Sequence, residues 1–224
     1  MIKKITLAKI IEWGTYLLVF LLPWQTRFIY KIGELNGGYW EYGSSSLYLT
    51  EILLWALIIL FLVYLGKNKV LFSGSLVNFL IIGLLFWSMI SILWSVDWNL
   101  AIYSWSLLVS GFLFYFLLRY GLADKVKVII SLVAAGAVQG LLAFYQSLLQ
   151  ETFAFKWLGL AAHSATDLGV FVVEYSDMRW LRVYGSLPHP NMLATFLVIA
   201  LLLALGLSLI ADDRKKDYLL VLVG

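Results

Sequence analysis

The sequence predicts an all-α polytopic membrane protein with about six to seven transmembrane helices. Three observations carry that reading. Hydrophobic residues make up 62% of the 224 residues and charged residues 13%, against about 45–50% and roughly 25% in soluble domains. Apolar runs of about 18 or more residues recur, the length that crosses a hydrocarbon core of about 30 Å. Lysine and arginine also alternate in density from one connecting loop to the next, as membrane topology demands.

The same inventory excludes other classes. Cysteine is absent, which removes a disulfide framework, a thiolate metal site and a cysteine nucleophile. The two histidines lie far apart, at His163 and His189, and with no HExxH motif there is no metal site to read. No Walker loop or GxGxxG is present, so no nucleotide, and no cofactor of any kind, is expected. The net charge of +3 follows topology and does not point to nucleic acid.

The first span is read at about Leu7–Leu22. Its lysines followed by an apolar run share the layout of a signal peptide, but no small-x-small cleavage site follows. Pro23, Trp24 and Arg27 read as an interfacial helix end. The next spans fall at about Leu47–Leu65, Leu76–Trp94, Leu100–Leu118 and Val126–Leu149, and the sixth at about Met192–Ile210. A seventh would start at Tyr218 and stops at Gly224, so the chain is expected to be truncated, with further helices downstream. This gives five helices with short loops in 1–149, a long loop in 150–191, and the sixth helix and the start of a seventh in 192–224.

Eleven of the 16 lysines and arginines fall on one side of this topology, and Arg27, Lys31, Lys156, Arg179 and Arg182 on the other. The N-terminus is therefore expected in the cytoplasm, in a multi-pass cytoplasmic (inner) membrane protein. Loops 24–46, 95–99 and 150–191 then face outward. Trp24, Tyr30, Tyr39, Trp40, Tyr42, Tyr48, Trp94, Trp98 and Trp105 collect on that side, as an interfacial aromatic belt does. The loop 150–191 is too long for a simple turn. Its apolar residues, Phe153, Trp157 and Phe171 among them, argue for a folded or membrane-lying segment. Its run VFVVEY reads as a short strand or an interfacial piece.

Chemistry is sought first at the end of this loop. Arg179 and Arg182 are three apart and would share one face of a helix. A pair of guanidiniums suits a diphosphate, because each fork holds two oxygens; pairing with Glu174 or Asp177, or with lipid headgroups, accounts for them equally. His189-Pro190-Asn191 opens the sixth span. Proline belongs in a first helical turn, and His189 or Asn191 can cap it. The unpaired N–H groups and dipole of that helix start could share an anion with Arg182. His163 reads as an ordinary loop histidine. Gln139 and Gln146, seven apart on the fifth span, are expected to bond to neighbouring helices. Glu51, near the end of the second span, would snorkel to the interface or meet a buried cation.

Arg182, Tyr184-Gly185 and His189-Pro190-Asn191, followed by the apolar helix MLATFLVIALLLAL, resemble the O-antigen ligase and O-antigen polymerase superfamily. The resemblance covers the amino-terminal portion of such proteins. It implies a GT-C-like helical bundle and a membrane glycosyltransferase. Such an enzyme takes a glycan from undecaprenyl diphosphate and passes it to an acceptor glycan, lipid or protein. Arg182 maps to a diphosphate contact, with Arg179, outside the motif, and His189 and Asn191 beside it. The family's histidine base lies in a later outer loop and has no counterpart here, so no catalytic residue is assigned and the chain alone is expected to be inactive. The chemistry needs stabilisation of the diphosphate leaving group and a base for the acceptor hydroxyl; it needs no metal if arginines neutralise the diphosphate. Two other readings stand: a transporter or flippase of lipid-linked glycans or small solutes, and a non-enzymatic membrane scaffold.

Overall fold

A computed structural model describes residues 6–68, 75–176 and 178–211. The expected seventh helix, the basic residues Lys3, Lys4, Lys69 and Arg214–Lys216, and Asp177 lie outside the described residues. The described chain is mostly helical. Its helices are α1 (Leu7–Leu21), α2 (Leu49–Lys67), α3 (Leu76–Ser91), α4 (Trp98–Tyr120), α5 (Lys125–Leu149) and α6 (Pro190–Ala211). Five segments, at α2, α3 with the turn to Trp94, α4, α5 and α6, are long and apolar enough to cross a membrane. The 15 residues of α1 rise about 1.5 Å each, which falls short of a hydrocarbon core.

Local chemistry fixes the helix starts. The Asp97 carboxylate accepts the Leu100 N–H at 3.0 Å to open α4, and Asp124 accepts the Lys127 N–H at 3.0 Å to open α5. Ser75 does the same for α3 through Asn78 N–H, at 3.2 Å. Each satisfies an amide that the first helical turn leaves without a partner. At the far end of α5, Gln150 turns left-handed at φ 56° and closes the last turn onto the Gln146 carbonyl.

The chain divides into two compact units. One takes residues up to Thr15 and Arg27–Ala123; the other takes Tyr16–Thr26 and Asp124 onward. In the first unit α2 and α3 both pack on α4. Phe61 of α2, with no exposed surface, meets the Phe116 ring at 5.9 Å. A side chain at Gly14 would sit 2.4 Å from Leu57, so α1 and α2 approach closely there. Most of the surface of α3 is apolar and open, with Leu76, Phe79 and Trp87 largely exposed.

The connecting loops are not purely helical or irregular. In the first unit β1 (Arg27–Lys31) pairs antiparallel with β4 (Ser45–Tyr48), and β2 (Glu34–Leu35) with β3 (Gly38–Tyr39). The inner hairpin turns on Asn36 and Gly37, both at positive φ, the Asn-Gly pair that a tight hairpin favours. Arg27 pairs with Glu41, and Tyr39 also donates to Glu41. The guanidinium holds the Glu41 carboxyl below the usual carboxylate range. In the second unit β5 (Glu151–Thr152) pairs with β6 (His163–Ser164), and β7 (Val172–Tyr175) with β8 (Met178–Leu181). The VFVVEY run thus supplies a strand. These hairpins qualify the all-α expectation: the loops satisfy their own backbone groups by pairing, as polar backbone near an apolar phase must.

Candidate functional site

The site is built on the second unit, where α5 packs on α6. A Cβ at Gly136 would fall 2.4 Å from the Ala200 Cβ, so the two backbones pass close together. Ala143, Leu187 and Leu193 form a core there, with Val183, Phe196 and Leu197 packed against it. The chain before α6 is thereby drawn down onto α5.

Gln139 and Gln146, both fully buried, hold that chain by its backbone. The Gln146 side-chain carbonyl accepts the N–H of Tyr184 at 3.1 Å and of Gly185 at 2.8 Å. Its amide donates to the Gly185 carbonyl at 2.8 Å. Gln139 accepts the Ser186 N–H and donates to the Ser186 hydroxyl, each at 2.8 Å. That hydroxyl donates in turn to the Pro23 carbonyl at 2.8 Å. The expectation that the two glutamines join neighbouring helices is therefore corrected: their partners are a turn. A turn in an apolar setting has exposed amides and carbonyls that no ladder satisfies, and side-chain amides, carrying both donor and acceptor, can replace one. Gly185 sits at φ 59°, where a Cβ would lie 2.5 Å from the Gln139 Oε1 atom. This explains the Tyr-Gly step in physical terms.

The start of α6 is equally closed. His189 Nδ1 accepts the Asn191 N–H at 3.0 Å, and the His189 carbonyl takes the N–H groups of Met192 and Leu193 at 3.0 and 3.2 Å. Pro190 has no N–H to offer. His189 is therefore the cap. The first-turn amides expected to meet an anion are already bonded, and that expectation is corrected. The helix dipole and Arg182 remain.

Arg182 follows β8 directly. Its backbone N–H bonds to the Phe171 carbonyl at 2.9 Å, and its half-buried side chain donates from Nη2 to the Asn191 Oδ1 atom at 2.6 Å. Asn191 thus aims the guanidinium at the N-terminal end of α6 while leaving other N–H donors of the fork uncommitted. Arg179 does not join it. It lies within β8, opposite Glu174 in register, and its Nε donates to Glu174 at 3.1 Å. The shared helix face expected for the two arginines is absent because the chain there is a strand, where positions three apart face opposite ways. The ion pair is the simpler account of Arg179.

No local pattern brings His163 here, yet it belongs to the same cluster. Its ring stacks on Tyr184 at 4.5 Å, and Phe171 lies 4.1 Å from the His189 ring. The Tyr184 hydroxyl accepts the Phe171 N–H at 3.0 Å. Burial pushes the His163 imidazole below its usual value, with Asp167 partly opposing, so it is neutral at physiological pH. The arrangement can do two things chemically: present a guanidinium beside a positive helix end to an oxyanion, and offer a neutral imidazole on an aromatic wall nearby. Among the described residues no cluster of three or more His, Asp or Glu could hold a metal ion. No family model, curated protein or solved structure matches the chain.

Proposed function

We propose that this chain is part of a membrane glycosyltransferase of the O-antigen ligase or polymerase kind, with a GT-C-like bundle. It would act at the outer face of the cytoplasmic membrane on a glycan carried by undecaprenyl diphosphate. The observation that carries the reading is the Arg182–Asn191 bond at the start of α6. It fixes a cation whose remaining donors match diphosphate oxygens, at the end of a helix whose dipole favours the same charge. The leaving group needs that stabilisation, and the acceptor, a glycan, lipid or protein, needs a base that is not assigned. Arg182 and Asn191 form the grip, His189 shapes it as the helix cap, and Arg179 stands outside it.

The test is Arg182→Ala in the full-length protein. Transfer of the surface glycan should fall by about a hundredfold or more, as loss of a transition-state charge contact does, with membrane insertion unchanged. Normal transfer by this variant would remove the assignment. A second reading, transport of lipid-linked glycans or small solutes, is favoured by one observation: Glu51 lies on a membrane-length helix with one carboxylate oxygen buried and unbonded.

A further inference from the structure

The β7–β8 hairpin has two unlike faces, and its register sets them apart. Residues directly opposite in an antiparallel pair share a face, and successive residues along a strand change face. Val173 pairs with Trp180 and Tyr175 with Met178, so these four side chains stand together on one face. Each is more than half exposed. Val172, Glu174, Arg179 and Leu181 take the other face. There Leu181 is buried and Arg179 is paired with Glu174. The hairpin therefore keeps its charges on one side and leaves an apolar, aromatic side bare. A contiguous bare strip of that kind marks an interaction surface.

What covers it follows from where the hairpin is tied. The Leu181 N–H donates to the Gln150 side-chain oxygen at 2.7 Å, and Gln150 caps the end of α5. One residue on, Arg182 extends the ladder through its N–H bond to the Phe171 carbonyl and reaches Asn191 in the first turn of α6. Phe171 lays its ring 4.1 Å from that of His189, the cap of α6. The hairpin base is thus fastened to the ends of two membrane-length helices, at the level of the headgroup boundary that such helices reach. Apolar surface runs up to both attachment points: Leu148 in the last turn of α5 and Met192 in the first turn of α6 are exposed. Tryptophan and tyrosine are the side chains that favour this boundary, with an apolar body and a polar tip.

We propose that the Val173–Tyr175–Met178–Trp180 face seats in the headgroup–acyl boundary of the lipid bilayer, making β7–β8 an amphipathic surface anchor. Lipid is the occupant because the strip is uncharged, carries the residue types of the interface and is held at the ends of α5 and α6. By the same alternation Arg182 stands at the root of this face, two residues from Trp180. Seating the strip therefore holds its guanidinium at the depth of lipid phosphates. The anchor lies wholly within the second unit and does not rest on the glycan reading.

The chain has no cysteine, so single cysteines carry a spin label without background. Val173→Cys, Tyr175→Cys and, on the opposite face, Glu174→Cys are made in the full chain and reconstituted in vesicles of phosphatidylcholine and phosphatidylglycerol. Electron paramagnetic resonance then compares collisions with oxygen, which concentrates in lipid, and with a nickel chelate, which stays in water. Labels at 173 and 175 should favour oxygen and report a depth of about 5–10 Å, as interfacial amphipathic elements do. The label at 174 should favour the chelate. Adding Tyr175→Asp and Trp180→Asp to Val173→Cys should turn its label toward the chelate. The proposal is overturned if the three labels read alike, in water or in lipid. It is overturned as well if those at 173 and 175 are shielded from both reagents, as under a protein partner, or if the 173 label stays in lipid with both aspartates present.

Discussion

The two polar centres on the membrane-length helices are opposites in their accounting of hydrogen bonds. Gln139 and Gln146 on α5 are fully buried, and both ends of each amide are bonded to the Tyr184–Ser186 turn. On α2, one carboxylate oxygen of Glu51 is buried without a hydrogen-bond partner in the protein. The first pattern is that of a fastening, in which polar groups are spent on one another. The second is that of a polar group the fold leaves uncompensated. Polarity inside an apolar phase therefore has to be read from its partners, not from the residue type.

Substitution by leucine separates the two centres most sharply. Gln146→Leu strips partners from the Tyr184 and Gly185 amides and the Gly185 carbonyl, each worth about 1–3 kcal/mol when buried and unpaired. A loss of about 3 kcal/mol or more is expected in unfolding measured in detergent. Glu51→Leu should cost less than about 1 kcal/mol or stabilise, because it removes a buried polar oxygen that no donor compensates. Equal losses would erase the distinction between the two centres. Next in size is Gly185→Ala, which should cost about 1–3 kcal/mol through its left-handed backbone and its crowding against Gln139. Combined with Gln139→Ala, which clears the nearest atom, the penalty should shrink, and a double-mutant cycle of thermal unfolding reads that coupling.

The smallest expected effect is a pH dependence. His163 is held below its usual value by burial, so the unfolded state binds its proton first. Its contribution to stability is present above the unfolded value and fades as pH falls through the folded one. Thermal stability should therefore drop modestly as pH falls below about 6.5, and His163→Asn should flatten that part of the profile. Glu41 gives the same sign lower down, since Arg27 depresses it: its contribution fades as pH falls below the ordinary carboxylate range. The two are separable by where on the pH axis each variant acts.

Much of the scaffold was legible because a membrane imposes a strong, simple pattern. Apolar length alone placed α2 to α6 within a few residues of where they lie, and Pro190 marked the start of α6. The site was less legible. The Arg182–Asn191 pairing could be suspected from spacing around a helix start. The misjudged helix face for Arg179 arose because i, i+3 spacing carries no information about helix or strand in a short segment bounded by Glu174 and Leu181. His163 could not be placed, since its contact with Tyr184 depends on a hairpin that pairs Thr152 with His163, which no local pattern announces. Gln139 and Gln146 offered a readable signal, a shared face at seven residues' spacing. The partner was the harder part, because a turn satisfied by side chains leaves no periodicity.

The bond from Ser186 to Pro23 joins residues 163 apart in sequence. Closing so long a loop is slow and entropically costly compared with forming any helix along the way. The clamp around the candidate site therefore cannot close until Ser186 has been made, well after α1 and α5. Until Ser186 has emerged, the Pro23 carbonyl at the end of α1 and the Gln139 and Gln146 amides of α5 lack these partners. A weakened clamp is therefore expected to show itself first as reduced abundance, before any fault in chemistry.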